Sequence, residues 1–197
     1  EKMPTESILL ILDTYFEICS RIILDKGGEV NKFMGDGLMA YFDTSLADNA
    51  IHACLEILEE LQNLHKDSSE DSPLKLLNSG FGLAQGSVIE GNMGSHFKTD
   101  YTIIGDAVNF AARLEGLTRQ VKRSLVFSES LKLSTKEPWP FISLGKFVLQ
   151  GCTFGAIGQI QGRCSGQDLA MSQMIVKEKA EPDQPGGSTA LHPWHHK

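Results

Sequence analysis

The stretch DYTIIGDAVNFAARLEGLT, from Asp100 to Thr118, contains the strand-to-helix step that best indicates the fold. YTIIG is short, apolar and partly β-branched, which is typical of a strand, and DAVNFAARLEGL has the apolar spacing of a helix. Asp106 is the predicted N-cap of that helix, and Gly116 is predicted to lie near its end. A strand that leads directly into a helix indicates a layered α/β unit.

Two polar residues of this predicted helix, Asn109 and Arg113, are candidates for a binding site. They are four positions apart, so they share one helix face, and the residues around them are small or apolar. One interpretation is a solvated polar stripe. The other is an amide and a guanidinium that act on one ligand, since the fixed fork of Arg donors suits phosphate.

A second informative stretch is KFMGDGLMAYF, from Lys32 to Phe42, in which two apolar runs flank Gly-Asp-Gly. Asp-Gly between such runs predicts a β-hairpin. Asp36 then has two interpretations. It is either a turn residue, chosen for its backbone preferences, or a carboxylate that the hairpin presents to Mg²⁺, which prefers hard oxygen ligands.

The rest of the chain predicts alternating helices and strands, and therefore an α/β sandwich. Apolar spacing predicts helices over residues 4–24, ended by Gly27 and Gly28, and over Leu46–His65. Strands are predicted in LKLLNSGFGLAQGSVIEG, SLVFS, FISLGKFVLQG and FGAIGQIQG, and an exposed loop in GNMGSHFKTD. From residue 163 onward the sequence is polar and rich in Pro and Gly, which predicts a disordered tail.

Two other patterns are interpreted as structural. The six glycines between Gly80 and Gly105 match no phosphate-loop motif, so they indicate bulges or close backbone approach. The three histidines of the tail (His192, His195 and His196) indicate a solvated segment rather than a metal site.

Composition restricts the function further. The net charge of −7 argues against nucleic acid held by general electrostatics. The four cysteines form no CxxC pair, which favours reduced thiols and a cytoplasmic location. There is no apolar run of about 18 residues, so no membrane contact is predicted from this segment. The chain does not begin with Met, which indicates a fragment of a longer protein.

Taken together, these segments resemble the class III nucleotidyl cyclase catalytic domain. Asp100–Thr118 is similar to the family pattern Y-x-x-x-G-x-x-V-N-x-A-x-R-L, VNKFMGDGLMAYF to its K-x-x-G-D hairpin, and GFGLAQGSVIEGNMGS to the glycine-punctuated strand between them. The resemblance covers residues 1–162 and implies one catalytic domain there, with residues 163–197 as a tail. The implied fold is a ferredoxin-like mixed sheet flanked by helices, with its first strand missing.

The resemblance also implies a reaction, the conversion of ATP to 3′,5′-cyclic AMP and pyrophosphate in intracellular signalling. Two Mg²⁺ or Mn²⁺ ions per site would assist in-line attack of the ribose 3′-hydroxyl on the α-phosphorus. Asp36 corresponds to one of the two metal-binding aspartates of the family. Asn109 corresponds to the residue that orients the ribose, and Arg113 to the residue that stabilises the pentavalent transition state.

The choice of base depends on Lys32, four residues before Asp36, and Thr102, seven before Asn109. In the family these two positions contact the purine edge. Lys can donate to adenine N1, and a Thr hydroxyl can accept from the 6-amino group, so the pair resembles that of an adenylate cyclase. A guanylate cyclase is the nearest alternative and differs only at these two positions.

In the family the site forms between two subunits. The metal-binding aspartates come from one subunit, and the base-reading pair and the Asn–Arg pair come from the other. A single chain that carries all these motifs therefore implies a homodimer with two equivalent sites, related by a two-fold axis.

The sequence also departs from the family pattern. The family's first strand carries F-x-D-I-x-x-F-T with the other metal aspartate, and by analogy it would lie before Glu1. We therefore expect the chain alone to be inactive, and a longer cytosolic or sensor-linked protein to be the active form. An incomplete cyclase-like domain that dimerises and regulates a partner is the alternative.

A second departure concerns phosphate binding. Some family members place a phosphate-binding Lys after the late L-x-G, where this chain has Cys152. Lys146 lies on the strand before it and is not assigned that role.

Overall fold

The structure is a computed structural model that describes residues 3–149, 152–160 and 170–178. These residues form three α-helices, α1 (Thr5–Asp25), α2 (Ala47–Asp67) and α3 (Asp106–Val121). They also form nine strands: β1 (Glu29–Met34), β2 (Gly37–Asp43), β3 (Ser79–Ser87), β4 (Ile89–Ser95), β5 (Lys98–Ile104), β6 (Leu125–Ser128), β7 (Phe141–Leu149), β8 (Cys152–Ile160) and β9 (Ala170–Glu178). No helix within the described ranges is long and apolar enough to cross a membrane.

Seven strands form one mixed sheet in the order β1-β2-β9-β3-β6-β8-β7, and β4 and β5 form a separate hairpin. One apolar cluster packs α1 and α2 against one face of the sheet, through residues such as Tyr15, Ile51 and Phe81. A second cluster packs α3 against the other face, through Ala107, Ala111 and Leu114. The mixed α/β sheet flanked by helices confirms the predicted fold class.

Close packing of α3 on the sheet depends on Gly82 in β3. A Cβ atom at Gly82 would lie 2.1 Å from the carbonyl oxygen of Ala111 and 2.3 Å from the backbone nitrogen of Glu115. Only glycine leaves room for the helix backbone at this distance. The predicted close approach of backbone in this glycine-rich segment is therefore confirmed at Gly82.

Two boundaries around α3 differ from the prediction. Gly105 occupies the N-cap position in place of Asp106, which is the first helical residue. The helix also continues past Gly116 to Val121, and it ends where Lys122 adopts the left-handed conformation with φ of 53°. Gly116 is solvent-exposed with nothing near its missing side chain, so it does not need to end the helix.

The segment GNMGSHFKTD, predicted to be an exposed loop, is instead most of the β4–β5 hairpin. The strands pair from Ile89–Ile104 to Ser95–Lys98, and His96 and Phe97 form the turn. Exposure was predicted correctly, since most of these residues are solvent-exposed. Backbone pairing between neighbouring strands was missed because the glycines and polar residues hide the alternation on which strand prediction depends.

The middle of the sheet is filled by β9, which lies inside the segment predicted to be a disordered tail. β9 runs parallel to both β2 and β3, and it pairs with β3 along all nine of its residues. Met174, Ile175 and Val176 are buried, with Met174 and Val176 on the α1–α2 side and Ile175 on the α3 side. The expectation of disorder does not hold for residues 170–178, because this short apolar run completes a sheet whose neighbouring strands are buried. The tail histidines lie outside the described residues.

Candidate active site

Asp36 lies at the tip of the β1–β2 hairpin, in a two-residue turn. Met34 pairs with Gly37, so Gly35 and Asp36 are the turn residues. Gly35 has φ of +64°, whereas Asp36 is not in the positive-φ region. Glycine at the first turn position is the pattern of a type II′ hairpin, which fits the twist of the two strands. The turn leaves the Asp36 carboxylate solvent-exposed.

Lys32 lies on β1, on the sheet face that carries α3 and β5. It pairs with Met39, which belongs to the apolar cluster under α3. The next residue, Phe33, points to the opposite face, where its ring lies 4.4 Å from that of Phe16 on α1. Alternation along the strand therefore separates a half-buried lysine from an apolar contact.

A β-bulge at Asn31 changes the course of β1 just before Lys32. Val30 pairs with Ala40 and Lys32 with Met39, so Asn31 is an extra residue without a partner in the ladder. Bulges of this kind change the direction of a side chain next to functional sites. Here the Asn31 side chain faces β5, where its Oδ1 accepts a hydrogen bond of 3.3 Å from the Thr102 hydroxyl.

The hydrogen bond between Asn31 and Thr102 joins residues that are 71 positions apart in the chain. Thr102 lies on β5 and is buried, with 8% of its surface exposed. The structure thus brings the two predicted base-reading positions, Lys32 and Thr102, to adjoining strands. Asn31 was missed by sequence reasoning, because nothing in its local sequence indicates a partner so distant.

Asn109 and Arg113 lie one turn apart on α3, as predicted. The buried face of α3 carries Ala107, Ala111 and Leu114, which pack on the sheet. At about 100° per residue, Asn109 and Arg113 are on the side turned away from that face. Asn109 is solvent-exposed and Arg113 is half-buried. The pair is therefore presented outward from the sheet.

Charged and polar side chains surround the end of β2 that lies farther from Asp36. The Lys177 ammonium of β9 lies 3.1 Å from Oε2 of Glu90, 3.8 Å from Oδ1 of Asp43 and 4.4 Å from the ring centre of Tyr41. The Tyr41 hydroxyl donates a 2.7 Å hydrogen bond to Glu29. Burial, and then this hydrogen bond, raise the pKa of Tyr41 above its usual range. Tyr41 is therefore neutral at physiological pH.

The donor groups of the described residues limit how this protein can hold a metal ion. Within residues 3–149, 152–160 and 170–178, no three or more His, Cys, Asp or Glu side chains cluster closely enough to hold a metal ion. Asp36 is an exposed oxygen donor on a hairpin tip. A single carboxylate fits Mg²⁺ when substrate phosphates and water complete its coordination.

Comparison with known proteins identifies one family over most of the chain. Residues 1–160 match the family described as the adenylate and guanylate cyclase catalytic domain. The chain is 33% identical to an adenylate cyclase of Anabaena cylindrica over 144 residues, which is 72% of this chain and 29% of that protein. It is 34% identical to the photoactivated adenylate cyclase subunit alpha of Euglena gracilis over 69% of this chain and 14% of that protein.

Solved structures give the same result. The structure of a bacterial light-regulated adenylyl cyclase matches with a TM-score of 0.79 and 42% sequence identity, over 85% of this chain and 48% of that one. The chain thus spans less than a third of the length of these two curated relatives and about half of this solved chain.

Proposed function

Because the chain belongs to the adenylate and guanylate cyclase catalytic domain family, we propose that it is the catalytic domain of a cytoplasmic adenylate cyclase. The reaction converts ATP to 3′,5′-cyclic AMP and pyrophosphate for intracellular signalling. The ribose 3′-oxygen bonds to the α-phosphorus, and the bond from the α-phosphorus to the bridging oxygen breaks. The hydroxyl proton passes to water, and pyrophosphate departs with the electron pair of the broken bond.

The observation that carries the choice of ATP is the position of Lys32 and Thr102. The two lie on adjoining strands, linked by the hydrogen bond from Thr102 to Asn31. An ammonium donor beside a hydroxyl acceptor complements adenine, which presents N1 as an acceptor and its 6-amino group as a donor. Guanine presents O6, an acceptor, and N1–H, a donor, at the same positions, so its donor and acceptor are exchanged relative to adenine.

Asp36 is the proposed metal-binding residue, for Mg²⁺ or Mn²⁺. Its carboxylate would hold the metal together with the triphosphate, and the family resemblance implies two ions per complete site. When bound, these ions neutralise charge on the phosphates and favour loss of the 3′-hydroxyl proton. The two-residue turn supports this role because it places Asp36 at the exposed tip of the hairpin, where a metal-bound triphosphate can reach its carboxylate.

Asn109 and Arg113 are the proposed catalytic residues. The Asn109 amide holds the ribose so that its 3′-oxygen lies in line with the breaking bond. The Arg113 guanidinium donates to the oxygens of the α-phosphate, where charge increases in the transition state. Both side chains point away from the sheet of their own subunit, which supports action on a nucleotide held against a second subunit.

This arrangement supports a homodimer with sites at the subunit interface. Apolar residues of the β4–β5 hairpin, which carries Thr102, are solvent-exposed, including Tyr101 at 52% and Phe97 at 96%. Exposed apolar side chains beside a candidate site are typical of surfaces that associate. A two-fold dimer would present Asp36 of one protomer to the Asn109 and Arg113 face of its partner.

Turnover tests the proposal. The protein is prepared as residues 1–197 and also with any upstream residues that its gene encodes. Each form is incubated with ATP or GTP and Mn²⁺, and both cyclic nucleotides and pyrophosphate are measured. We expect cyclic AMP and pyrophosphate in equal amounts from the longest form. In the Arg113→Ala variant kcat should fall by about a hundredfold or more, while the variant should still sediment as a dimer in analytical ultracentrifugation.

Arg119→Ala is the matched control, since Arg119 is exposed in the last turn of the same helix. It should keep both turnover and dimerisation. Cyclic GMP as the main product would replace the proposal with guanylate cyclase activity. Dimers that make neither product in any form would support the regulatory, non-catalytic alternative.

A further inference from the structure

Asn31 has no role in the proposed reaction, yet its side chain is bonded to one of the two base-reading residues. It occupies the bulge directly before Lys32, and its Oδ1 accepts from the hydroxyl of Thr102. Lys32 and Thr102 are therefore both connected to this one residue, the first through the backbone and the second through a hydrogen bond.

A threonine hydroxyl has one hydrogen to donate and two lone pairs that accept. In this structure the single hydrogen is directed at Asn31 Oδ1. The hydroxyl therefore has only acceptor capacity left for a purine. Burial of Thr102 limits the access of water that could provide the hydroxyl with another partner.

We infer that Asn31 is a specificity-determining positioning residue, which holds the Thr102 hydroxyl as an acceptor and so selects adenine over guanine. The inference rests on the proposed function, because it concerns the base of the same nucleotide. The adenine 6-amino group donates to the lone pair that Asn31 leaves available. Guanine O6 would face that lone pair, and two acceptors in contact repel each other.

Removal of the Asn31 acceptor should lower selectivity. In Asn31→Ala the Thr102 hydroxyl regains the freedom to rotate and can donate to guanine O6. We expect the ratio of kcat/KM for ATP to that for GTP to fall roughly tenfold, the scale of one hydrogen bond. Asn31→Asp retains an oxygen that can only accept, so it should keep the ratio within about threefold of the parent protein.

Two further variants separate positioning from general support of the structure. Asn49 is also half-buried, and it donates one hydrogen bond of 2.9 Å to the carbonyl of Lys26. Asn49→Ala should lower the melting temperature without a change in the ratio. In a Thr102→Val background, where no hydroxyl remains, Asn31→Ala should have no further effect on the ratio.

Binding gives a readout that does not need catalysis. Calorimetric titration with 3′-deoxy-ATP and 3′-deoxy-GTP measures base preference without an attacking hydroxyl, and the ratio of dissociation constants should follow the same pattern. The inference is overturned by a parent protein without adenine preference, or by an unchanged ratio in Asn31→Ala. It is also overturned if Asn31→Asp lowers the ATP/GTP ratio as much as Asn31→Ala does. A further contradicting result is that Asn31→Ala lowers the ratio equally in the Thr102→Val background and in the parent protein.

The same measurements distinguish this inference from the proposed reaction. Adenine preference in binding that depends on Asn31, without cyclic AMP formation, would contradict the proposed reaction and support the inference. If Asn31→Ala does not fold, the ATP/GTP ratios of Asn31→Asp and Thr102→Val are compared instead to test the inference. Asn31→Asp should then retain the ratio and Thr102→Val should lose it, and equal ratios in the two would overturn the inference.

Discussion

Asp36 has one structural role, in the hairpin turn, and one proposed role, in metal binding, and one substitution can separate them. The Gly35–Asp36 turn needs a residue tolerant of turn geometry, and the proposed metal site needs a charged oxygen. Asn satisfies the first requirement and meets the second poorly. A substitution of Asp36 by Asn therefore tests the proposed metal role while it keeps the turn.

We predict that Asp36→Asn lowers kcat by about a hundredfold or more, because several kcal/mol of transition-state stabilisation depend on the bound metal. The midpoint of thermal unfolding should move by no more than about 2 °C, since Asn fits the turn. Asp43→Asn, at the other end of β2, is the control and should retain activity. A large drop in melting temperature with activity unchanged would mean that Asp36 is only a turn residue.

Under the proposed function, base specificity depends on the Thr102–Asn31 hydrogen bond, a contact that the motifs do not include. Lys32 and Thr102 were predicted from their offsets to Asp36 and Asn109, and their roles stay predictions. Asn31 could not be predicted, because its importance comes from a bulge and from a strand 71 positions away. The bulge places Asn31 and Lys32 next to each other on β1, toward β5.

Helix α3 contacts the sheet through a glycine, and this contact positions the two proposed catalytic residues. We predict that Gly82→Ala lowers the free energy of unfolding by about 1–3 kcal/mol or more, because the new Cβ would meet backbone atoms rather than a flexible side chain. The helix would have to shift, so kcat should fall as well. Urea denaturation and turnover measure the two effects.

Gly116→Ala, on the exposed side of α3 away from this contact, is the matched control. Gly116 is exposed and nothing lies within 4 Å of its missing Cβ. Because Ala favours the helix over Gly, this variant should be more stable by about 0.5–1 kcal/mol. Equal destabilisation by both substitutions would contradict the packing argument for Gly82.

The N-terminal turn of α2 holds the segment that leads into β7. Asp48 Oδ2 accepts a 2.9 Å hydrogen bond from the backbone nitrogen of Lys136. Its Oδ1 accepts from the nitrogen of Glu137 at 3.2 Å and from the Trp139 indole at 2.8 Å. Burial acts to raise the pKa of Asp48, but the three hydrogen bonds outweigh it and keep that pKa below its usual value.

We therefore predict an acid-sensitive contribution to stability. In the unfolded chain the pKa of Asp48 is about 3.9, and in the folded chain Asp48 is protonated only at lower pH. The stabilisation by ionised Asp48 is complete when the pH is above the pKa that Asp48 has in the unfolded chain. It is lost as the pH falls through the lower pKa that Asp48 has in the folded chain. Asp48→Asn should cost about 1–3 kcal/mol at pH 7, and the difference from the parent protein should shrink below about pH 4 in urea unfolding.

Asp71→Asn, in an exposed loop, is the control and should leave the unfolding free energy nearly unchanged. A difference between Asp48→Asn and the parent protein that stays constant from pH 7 to pH 3 would contradict the role of the charged carboxylate. It would instead indicate that the packing of the side chain matters.

The whole sheet depends on β9, which lies between β2 and β3. Without it, both strands would have unpaired backbone groups in the interior of the protein. Thr44 Oγ1 also donates a 2.6 Å hydrogen bond to the carbonyl of Lys177, which holds the end of β9. The predicted domain boundary at residue 162 thus excludes a strand that the sheet contains.

We predict that a chain ended at residue 162 loses cooperative unfolding and associates, whereas a chain ended at residue 178 unfolds cooperatively with the midpoint of the full protein. Circular dichroism during urea unfolding and size-exclusion chromatography measure these outcomes. A 1–162 chain with the same midpoint as the full protein would mean that β9 is dispensable, and the predicted boundary would be correct.

Much of the architecture followed from local sequence. Helical spacing predicted α1 and α2 within two residues at each end, and Asp-Gly between apolar runs predicted the β1–β2 hairpin. The β4–β5 hairpin was missed because its residues lack alternation. The end of α3 was misplaced because an exposed glycine does not by itself stop a helix.

The sequence alone determined the strand-to-helix step at Asp100–Thr118, the hairpin that carries Asp36, and the spacing that puts Asn109 and Arg113 on one helix face. These features depend on contacts between near neighbours, so local spacing and turn chemistry are enough to predict them. Only the tertiary structure decided that β9 completes the sheet and that Asn31 bonds to Thr102. Both depend on pairing between segments far apart in the chain, and that pairing is decided by burial of backbone and side-chain polar groups when the whole domain folds.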